Sequence, residues 1–503
     1  MDKILTTALP YANGDLHWGH FYEAVIADIY AKYNNIPLIS GDDQHGAAIT
    51  LFVEKNKLDI NQHLYNQHIN HKEQYKDLGI NFSYFGETSN PVHKELVLFF
   101  YKKLQEKNLI VKKKTISWFD VEKKQFLPDR YVRGICPHCH KENVFPHVCE
   151  HCNTYFNSDE LINPKSALSN SVPILKETEH FFLNTESFFD NLEEFCDKLN
   201  IHSSVRKKIL DVSLQKLDLI DITRDLPYFG IQVPEHQLAF YVWFDAPLGY
   251  LTFVLDFLKK QNENLSFEEL IEKLQTVEFE HTIGKDIVYF HTFFWLNLLN
   301  ILDLPLPKKL HVHGWIVQDN GEKYSKSNGD KLDLKDFSTE EIDAIRFFFS
   351  SIYDGSISDN QFSLKSSYEI YNQFIVGKFS NIYSRISKLL INNNIHSIEL
   401  LEINNELEDK IKIELFNFHL KNFTKTLFLW IDQLNTYIQE QQPWKIADSE
   451  KFNDVCTKAL SEFKVISYYI GLICPNLKKK IDLIDYSKIE HIHISSRITK
   501  KVI

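Results

Sequence analysis

No apolar run in the 503 residues approaches the roughly 20 needed to cross a bilayer; the longest, Phe290–Leu299, carries His, Thr and Asn. The N-terminus, MDKILTTALP, has no apolar h-region, which excludes a secretory signal. Internal repeats and low-complexity linkers are missing, and the chain contains a single methionine, Met1. An excess of positive charge is also absent: 56 Lys and Arg face 68 Asp and Glu, a net charge of −12. That excludes a general nucleic-acid coat but not local basic patches, for which Lys112–Lys114 and Lys478–Lys480 are candidates. Hydrophobic content of 44% and charged content of 25% are ordinary for a globular protein. A soluble, cytoplasmic chain of three or more units is expected.

The seven cysteines are unevenly spread, with four, Cys136, Cys139, Cys149 and Cys152, within 17 residues. An odd total without a secretory signal disfavours a disulfide framework. The spacing C-x2-C-x9-C-x2-C turns four thiolates inward, and these complete a tetrahedral Zn2+ with no open position. One structural zinc is the expectation, with a pair of disulfides or an iron–sulfur cluster as alternatives.

Residues 3–9 suit a first strand, 11–19 a loop and Phe21–Tyr33 a helix; 37–40 restarts a strand before GDDQHG at 41–46. This is the rhythm of a parallel α/β sheet. Residues 112–163, Lys-rich and then Cys-rich, read as an insertion. FYVWFDAPLGY at 240–250 and HTIGKDIVYFHTFFW at 281–295 are each expected to be a strand running into a loop. From about residue 366 apolar residues recur at three and four, the pattern of a helical bundle.

Two loops carry chemistry. His17-Trp18-Gly19-His20 opens the first helix, where unpaired N–H groups attract anions and histidines can donate to phosphate. Lys323-Tyr324-Ser325-Lys326-Ser327, between Gly321 and Gly329, suits a triphosphate whose charge grows as pyrophosphate leaves. Alone, each reads as surface histidines beside a turn or as a solvated loop. Together they resemble the HIGH and KMSKS signatures of class I aminoacyl-tRNA synthetases. TTALPYANGDLHWGH, DDQHG, the cysteine knuckle, RDLPYFGIQVP, YVWFDAPLGY, IGKDIVYFH and NTYIQEQQPW fall in the order of one branch, the methionyl-tRNA synthetase family.

The resemblance implies a Rossmann-like catalytic domain split at 1–110 and 226–320 by a connective insertion with the zinc knuckle at 111–225. A KMSKS and stem-contact region at 321–365 and an all-α anticodon-binding domain at 366–503 would follow. The reaction would form methionyl-adenylate and pyrophosphate from methionine and ATP with Mg2+, then acylate the terminal 2′-hydroxyl of tRNA(Met). By the same resemblance His17, His20, Lys323 and Lys326 are catalytic. Gly19, Ser325 and Ser327 join them at ATP, Gly19 under the adenine. Asp43 would accept from the methionine ammonium. Ala8, Leu9, Tyr11, Trp243, Ala246, Pro247, Tyr250, Phe290, His291 and Trp295 match the methionine pocket, with Leu9 and Tyr250 at the sulfur. From the residues alone, Tyr289–Trp295 is an ordinary buried element. Asn381, Arg385 and Trp444 match anticodon-reading positions; Trp444 by itself reads as a core tryptophan at a helix start.

Departures from the family pattern are Trp18 for an aliphatic residue, Tyr324 for methionine or phenylalanine, and Asp42 and Gln44 where many relatives have Thr and Glu. The extra acid at 42 is expected to bear on the ammonium site. The C-terminal tRNA-binding domain that dimerises many relatives has no counterpart here, which implies a monomer. A smaller nucleotidyltransferase, a non-catalytic tRNA-binding paralogue and a paralogue charging another amino acid are the competing readings.

Overall fold

The computed structural model describes residues 3–499 apart from 147–148, 150, 153–155, 157, 200, 214–217, 262–264, 323 and 325–332. Lys323, Ser325, Lys326 and Ser327 therefore lie outside the described residues.

Five strands form one fully parallel sheet: β1 (Lys3–Thr7), β2 (Leu38–Asp42), β3 (Tyr84–Glu87), β4 (Glu278–Gly284) and β5 (Lys309–His313), in the order β5-β4-β1-β2-β3. The register pairs Thr6 with His281 and with Ile39. Chain order reverses beside β1, so a crevice opens at the carboxyl ends of the strands, where such sheets take ligands. Helix α1 (Trp18–Asn34) returns from β1 to β2, and α2 (Ala47–Asn56) and α3 (Ile60–Asp77) lie between β2 and β3. Strands such as β2, buried along their whole length, are the signature of a sheet covered on both faces.

The segment after β3 contains two antiparallel sheets. One joins Leu219–Asp221, Ile174–Asn184, Ile110–Asp120 and Gln125–Leu127 in that order; the other joins Glu142–Val144, Val132–Ile135 and Ile162–Ser166. The Lys112–Lys114 run lies on this first sheet, where Lys112 pairs with Glu179 at 2.8 Å and Lys114 with Glu177 at 2.7 Å. Lys478 and Lys480 likewise meet Asp482 and Glu340, each at 2.6 Å. Two of the three lysines in each run are thus paired with acids, while Lys113 lies over the Phe182 ring and Lys479 reaches Asn476.

The stretch 240–250 departs from its expected form. The strand Leu238–Phe240 ends as it begins, and Val242–Asp245 and Leu248–Gln261 are helices. Residues 281–295 start in β4 as expected, but Phe290–Trp295 is a π-helical turn rather than a loop.

From residue 364 the chain is helical, with long helices at Ser380–Asn392, Leu420–Gln441 and Ser449–Ile473. Its core runs unbroken into α1: Ile29 and Tyr30 belong to the same apolar cluster as Trp430 and Phe463. Arg346, fully buried, pins the joint. Its guanidinium donates to Asp28 of α1 at 2.7 Å, to the Ile473 carbonyl at 2.7 Å and to the Leu78 carbonyl at 3.3 Å. Among the described residues no helix is long and apolar enough to cross a membrane.

Candidate functional site

The loops after β1 and β2 are sewn together. Asp43 N–H donates to the Pro10 carbonyl at 2.9 Å, and Ala12 N–H to the Asp43 carbonyl at 2.8 Å. Leu9 is held from behind by Gly249, where a Cβ would stand 2.7 Å from Leu9 Cδ1. Ala8 sits at the strand end, its N–H on Glu23 Oε1 at 2.7 Å. Leu9, Tyr11, Asp43 and Trp243 line a cavity of ≈ 610 Å³ whose far wall includes Pro128, Arg130 and Phe145 of the insertion. Burial, reinforced by the nearby Asp245 and Asp42 charges, pushes the Asp43 carboxyl well above the usual carboxylate range. A cation arriving beside it would relieve that cost.

Among the lining residues that sequence reasoning overlooked are two arginines. Arg130 and Arg224 both line the cavity, Arg224 with its guanidinium 3.7 Å from the Tyr241 ring centroid. A signal exists for Arg224, which begins the RDLPYFGIQVP stretch. One carboxylate facing two guanidinium groups suits a zwitterion or an anion-bearing ligand.

A group of aromatic residues stands next to the cavity, which it reaches through Trp243; Ala8, Ala246, Pro247, Tyr250, Phe290, His291 and Trp295 are not among the residues that line it. Trp243 stacks on Phe290 with ring centroids 4.0 Å apart. Tyr250, buried, lies 2.8 Å from His291 Nε2, while His291 Nδ1 lies 2.9 Å from the Ile287 carbonyl. A carbonyl only accepts, so Nδ1 carries the proton and Nε2 accepts from the Tyr250 hydroxyl. Burial pushes the His291 pKa down to about 4, which keeps the ring neutral. Trp295 lies behind this layer, 1% exposed, its indole N–H on His281 Nε2 at 3.2 Å. His281 Nδ1 then donates to Thr6 Oγ1 at 2.6 Å. Ala246 and Pro247 occupy the turn between the helices Val242–Asp245 and Leu248–Gln261.

Beneath them, His45 Nδ1 lies 2.5 Å from Asp245 Oδ2, and His93 Nε2 lies 3.9 Å from it, all three residues buried. Two ligands on one ion at about 2.0–2.1 Å stand further apart than the first pair. The contact is a hydrogen bond, and His45 and His93 hold Asp245 below the usual range against the upward push of burial.

The His17–His20 segment caps α1 in a reciprocal way. His17 Nδ1 accepts from Gly19 N–H at 3.1 Å, and His20 Nδ1 accepts from His17 N–H at 3.1 Å. The two rings stack with centroids 3.8 Å apart. Both Nδ1 atoms being acceptors, the proton of each ring sits on Nε2, a donor suited to phosphate oxygen. A Cβ on Gly19 would stand 3.0 Å from His17 Cε1, so the bare glycine also serves the histidine beside it.

The departures find partners away from the cavity. Asp42 is committed to His68 and His71, at 2.7 and 2.6 Å. Gln44 reaches Glu87 at 3.3 Å and donates its N–H to Thr88 at 2.9 Å. The expected effect of Asp42 on the ammonium site thus reduces to its charge, the lesser influence on Asp43 after burial and Asp245. Trp18 and Tyr324 meet each other, with centroids 6.5 Å apart, in a cluster with Phe362.

The four cysteines converge: Cys136 and Cys152 Sγ are 3.9 Å apart, Cys139 and Cys149 Sγ 3.6 Å, and Cys139 N–H points to Cys136 Sγ at 3.5 Å. Four sulfurs about 2.3 Å from a tetrahedral metal stand about 3.8 Å from one another, so the set fits one ion. On the bundle, Asn381 and Arg385 share one face of Ser380–Asn392, and the Arg385 guanidinium lies 5.3 Å from the Trp444 ring centroid. Trp444 is 41% exposed on a 3-10 turn, not a core residue.

The family described as tRNA synthetases class I (M) matches residues 3–387. A methionine–tRNA ligase of Francisella tularensis subsp. tularensis (strain WY96-3418) is 33% identical over 498 residues, covering 95% of this chain and 74% of the relative. The ligase of Buchnera aphidicola subsp. Schizaphis graminum is 32% identical over 500 residues, covering 95% and 91%. Among solved structures, Mycobacterium tuberculosis methionyl-tRNA synthetase in complex with methionyl-adenylate superposes with a TM-score of 0.75 at 19% identity, over 96% of this chain and 93% of that one.

Proposed function

The chain belongs to the class I tRNA synthetases of the methionine branch, and we propose that its parallel-sheet crevice aligns methionine and ATP while its helical end reads the tRNA. It is a methionine–tRNA ligase. The observation that carries the division of labour is the single loop after β1. Leu9 and Tyr11 line the cavity with Asp43, and the same loop ends in the stacked His17 and His20.

Asp43 takes the ammonium. The aromatic group of Trp243, Phe290 and Tyr250 takes the thioether, for which sulfur–aromatic contacts are favourable. Ala8, Leu9, Tyr11, Ala246, Pro247, His291 and Trp295 shape that pocket, Trp295 indirectly through His281. A methionine carboxylate oxygen then attacks the α-phosphorus, and the bond to the β-phosphate breaks. His17 and His20 donate Nε2–H to the phosphates, Gly19 lets the adenine approach, Lys323 and Lys326 neutralise the departing pyrophosphate, and Ser325 and Ser327 donate hydrogen bonds to it. Mg2+ brought with ATP offsets phosphate charge. Next, the terminal 2′-hydroxyl of tRNA(Met) attacks the carbonyl carbon and AMP leaves. No side chain acts as nucleophile; catalysis is alignment and charge stabilisation.

Cys136, Cys139, Cys149 and Cys152 would hold one structural Zn2+. Asn381, Arg385 and Trp444 would read anticodon bases by edge contacts and stacking. The test is amino-acid-dependent ATP–pyrophosphate exchange across all twenty amino acids: methionine supports it and the others do not. Absence of exchange with methionine removes the reading. Trp444→Ala leaves exchange unchanged and lowers tRNA charging about fivefold or more, since base stacking contributes about 1–3 kcal/mol; equal loss of both would contradict the division.

A further inference from the structure

Helix α3 carries an anomaly. Its buried stripe is His63, Leu64, His71, Gln74 and Tyr75, so three polar residues occupy positions where a helix of this spacing places apolar ones, and two of them, His71 and Gln74, lie side by side in its C-terminal half. A buried polar group is costly without a partner, and the partners of His71 and Gln74, with those of the neighbouring Asn70, are consecutive residues of the loop that ends at His17. His71 Nε2 donates to the Gly14 carbonyl at 2.9 Å, Asn70 donates to Asp15 Oδ1 at 2.7 Å, and Gln74 Oε1 accepts from Leu16 N–H at 3.1 Å. On its other side His71 Nδ1 lies 2.6 Å from Asp42 Oδ1. The ring of His71 thus bridges the Gly14 carbonyl and the buried Asp42 carboxyl group. His68 takes the second Asp42 oxygen at 2.7 Å.

We propose that Asn70, His71 and Gln74 are positioning residues for the nucleotide: α3 grips residues 14–16 from behind and sets where the His17–His20 cap stands, with Asp42 as the anchor of the grip. The inference rests on the assignment of His17 and His20 to ATP. It also accounts for the departure at Asp42, since the acid orients His71 rather than touching the amino acid. Asp42 precedes Asp43, so the end of β2 serves both substrates, with Asp43 facing the cavity and Asp42 facing α3. None of the three α3 side chains lines the cavity beside Asp43, which separates their effect from methionine binding.

Two isosteres of His71 divide its contacts. Asn places an amide N–H near the position of Nδ1 and keeps Asp42; Gln places one near Nε2 and keeps the Gly14 carbonyl. Equilibrium binding of ATP without methionine, and of methionine without ATP, is measured on the full chain by calorimetry. His71→Asn weakens ATP about tenfold, the cost of leaving one buried acceptor, the Gly14 carbonyl, without its donor. Methionine affinity stays within about twofold, and His71→Gln restores ATP affinity to within about threefold of the parent. Equal weakening of ATP by Asn and Gln, or a methionine loss as large as the ATP loss, overturns the proposal. If His71→Asn does not fold, Asn70→Ala, which removes only the contact to Asp15, carries the test. It weakens ATP about threefold and leaves methionine unchanged; unaltered ATP affinity overturns the proposal. Because these are binding measurements, they stand whether or not the parent supports methionine-dependent exchange, and a parent that fails exchange refutes the functional reading separately.

Discussion

The cysteine insertion and the parallel sheet hold their loops by different means. Around the four cysteines the apolar core is small: Trp118, Leu127, Tyr131, Val132, Val144, Phe156 and Leu161, with two of the cysteines themselves inside it. The sheet is flanked by two large clusters, one of which extends from α1 through the bundle. A unit with so little apolar surface needs a staple, whereas a large core can carry costly groups. Asp43, pushed up by burial, and Arg346, a fully buried guanidinium, are such costs. The insertion is nonetheless not detached. Ala47 and Leu51 of α2 pack against its core, and its Arg130 and Phe145 close the far side of the cavity.

The largest effect should follow from removing the staple. Cys149→Ser, or chelation, should open residues 128–166 to protease while far-UV dichroism of the helices persists, because binding energy at structural zinc sites, about 10–16 kcal/mol in small fingers, is folding energy. Zinc content should fall from one per chain to none. An insertion that stays protease-resistant without metal would erase the contrast between the two regions.

The joint between sheet and bundle tests the other side. Arg346→Met strands the Asp28 carboxylate with only Lys32 at 2.7 Å and leaves buried carbonyls without a donor. Removing one partner of a buried pair costs about 3–5 kcal/mol. Denaturant unfolding should show this loss, with zinc content unchanged. A loss below about 1 kcal/mol would mean that the large core does not depend on its buried charge.

A smaller effect is expected at the pocket. Asp43 must be ionised to hold an ammonium, and its pKa is raised above the usual carboxylate range. Methionine KM should therefore rise as pH falls through that raised pKa, beginning well above pH ~4, where an ordinary carboxylate protonates. Asp43→Asn should raise KM roughly a hundredfold and flatten the profile, as expected for loss of a hydrogen-bonded charge partner. A parent KM that stays flat down to pH ~4 would place the carboxylate in water and remove the costly group from the contrast.

Legibility in the sequence follows the range of the interactions. The cap at His17–His20 and the cysteine knuckles are local, with partners a few residues apart, so motif spacing exposes them. The helix Val242–Asp245 reads as loop because YVWFDAP follows a strand and ends in proline, and nothing within it marks a helix forced by packing under the pocket. Asp42 looks like a neighbour of the ammonium site because it is next to Asp43 in sequence. Successive strand residues point to opposite faces, and its true partners lie 26 and 29 residues away. Arg130 is one surface-like arginine in a Lys-rich insertion until the fold turns it toward the cavity.

The parallel α/β plan, the helical end, the four-thiolate set and the two signature loops are all written in short-range spacing, and the chain alone carries them. Packing in three dimensions adds that Trp18 meets Tyr324, that Trp295 acts through His281, that Asp42 serves α3, and that the insertion walls the pocket. Most of those contacts join residues from about thirty to several hundred positions apart, and a chain's pattern holds no record of a partner that only burial and the demand to satisfy buried polar groups bring within reach.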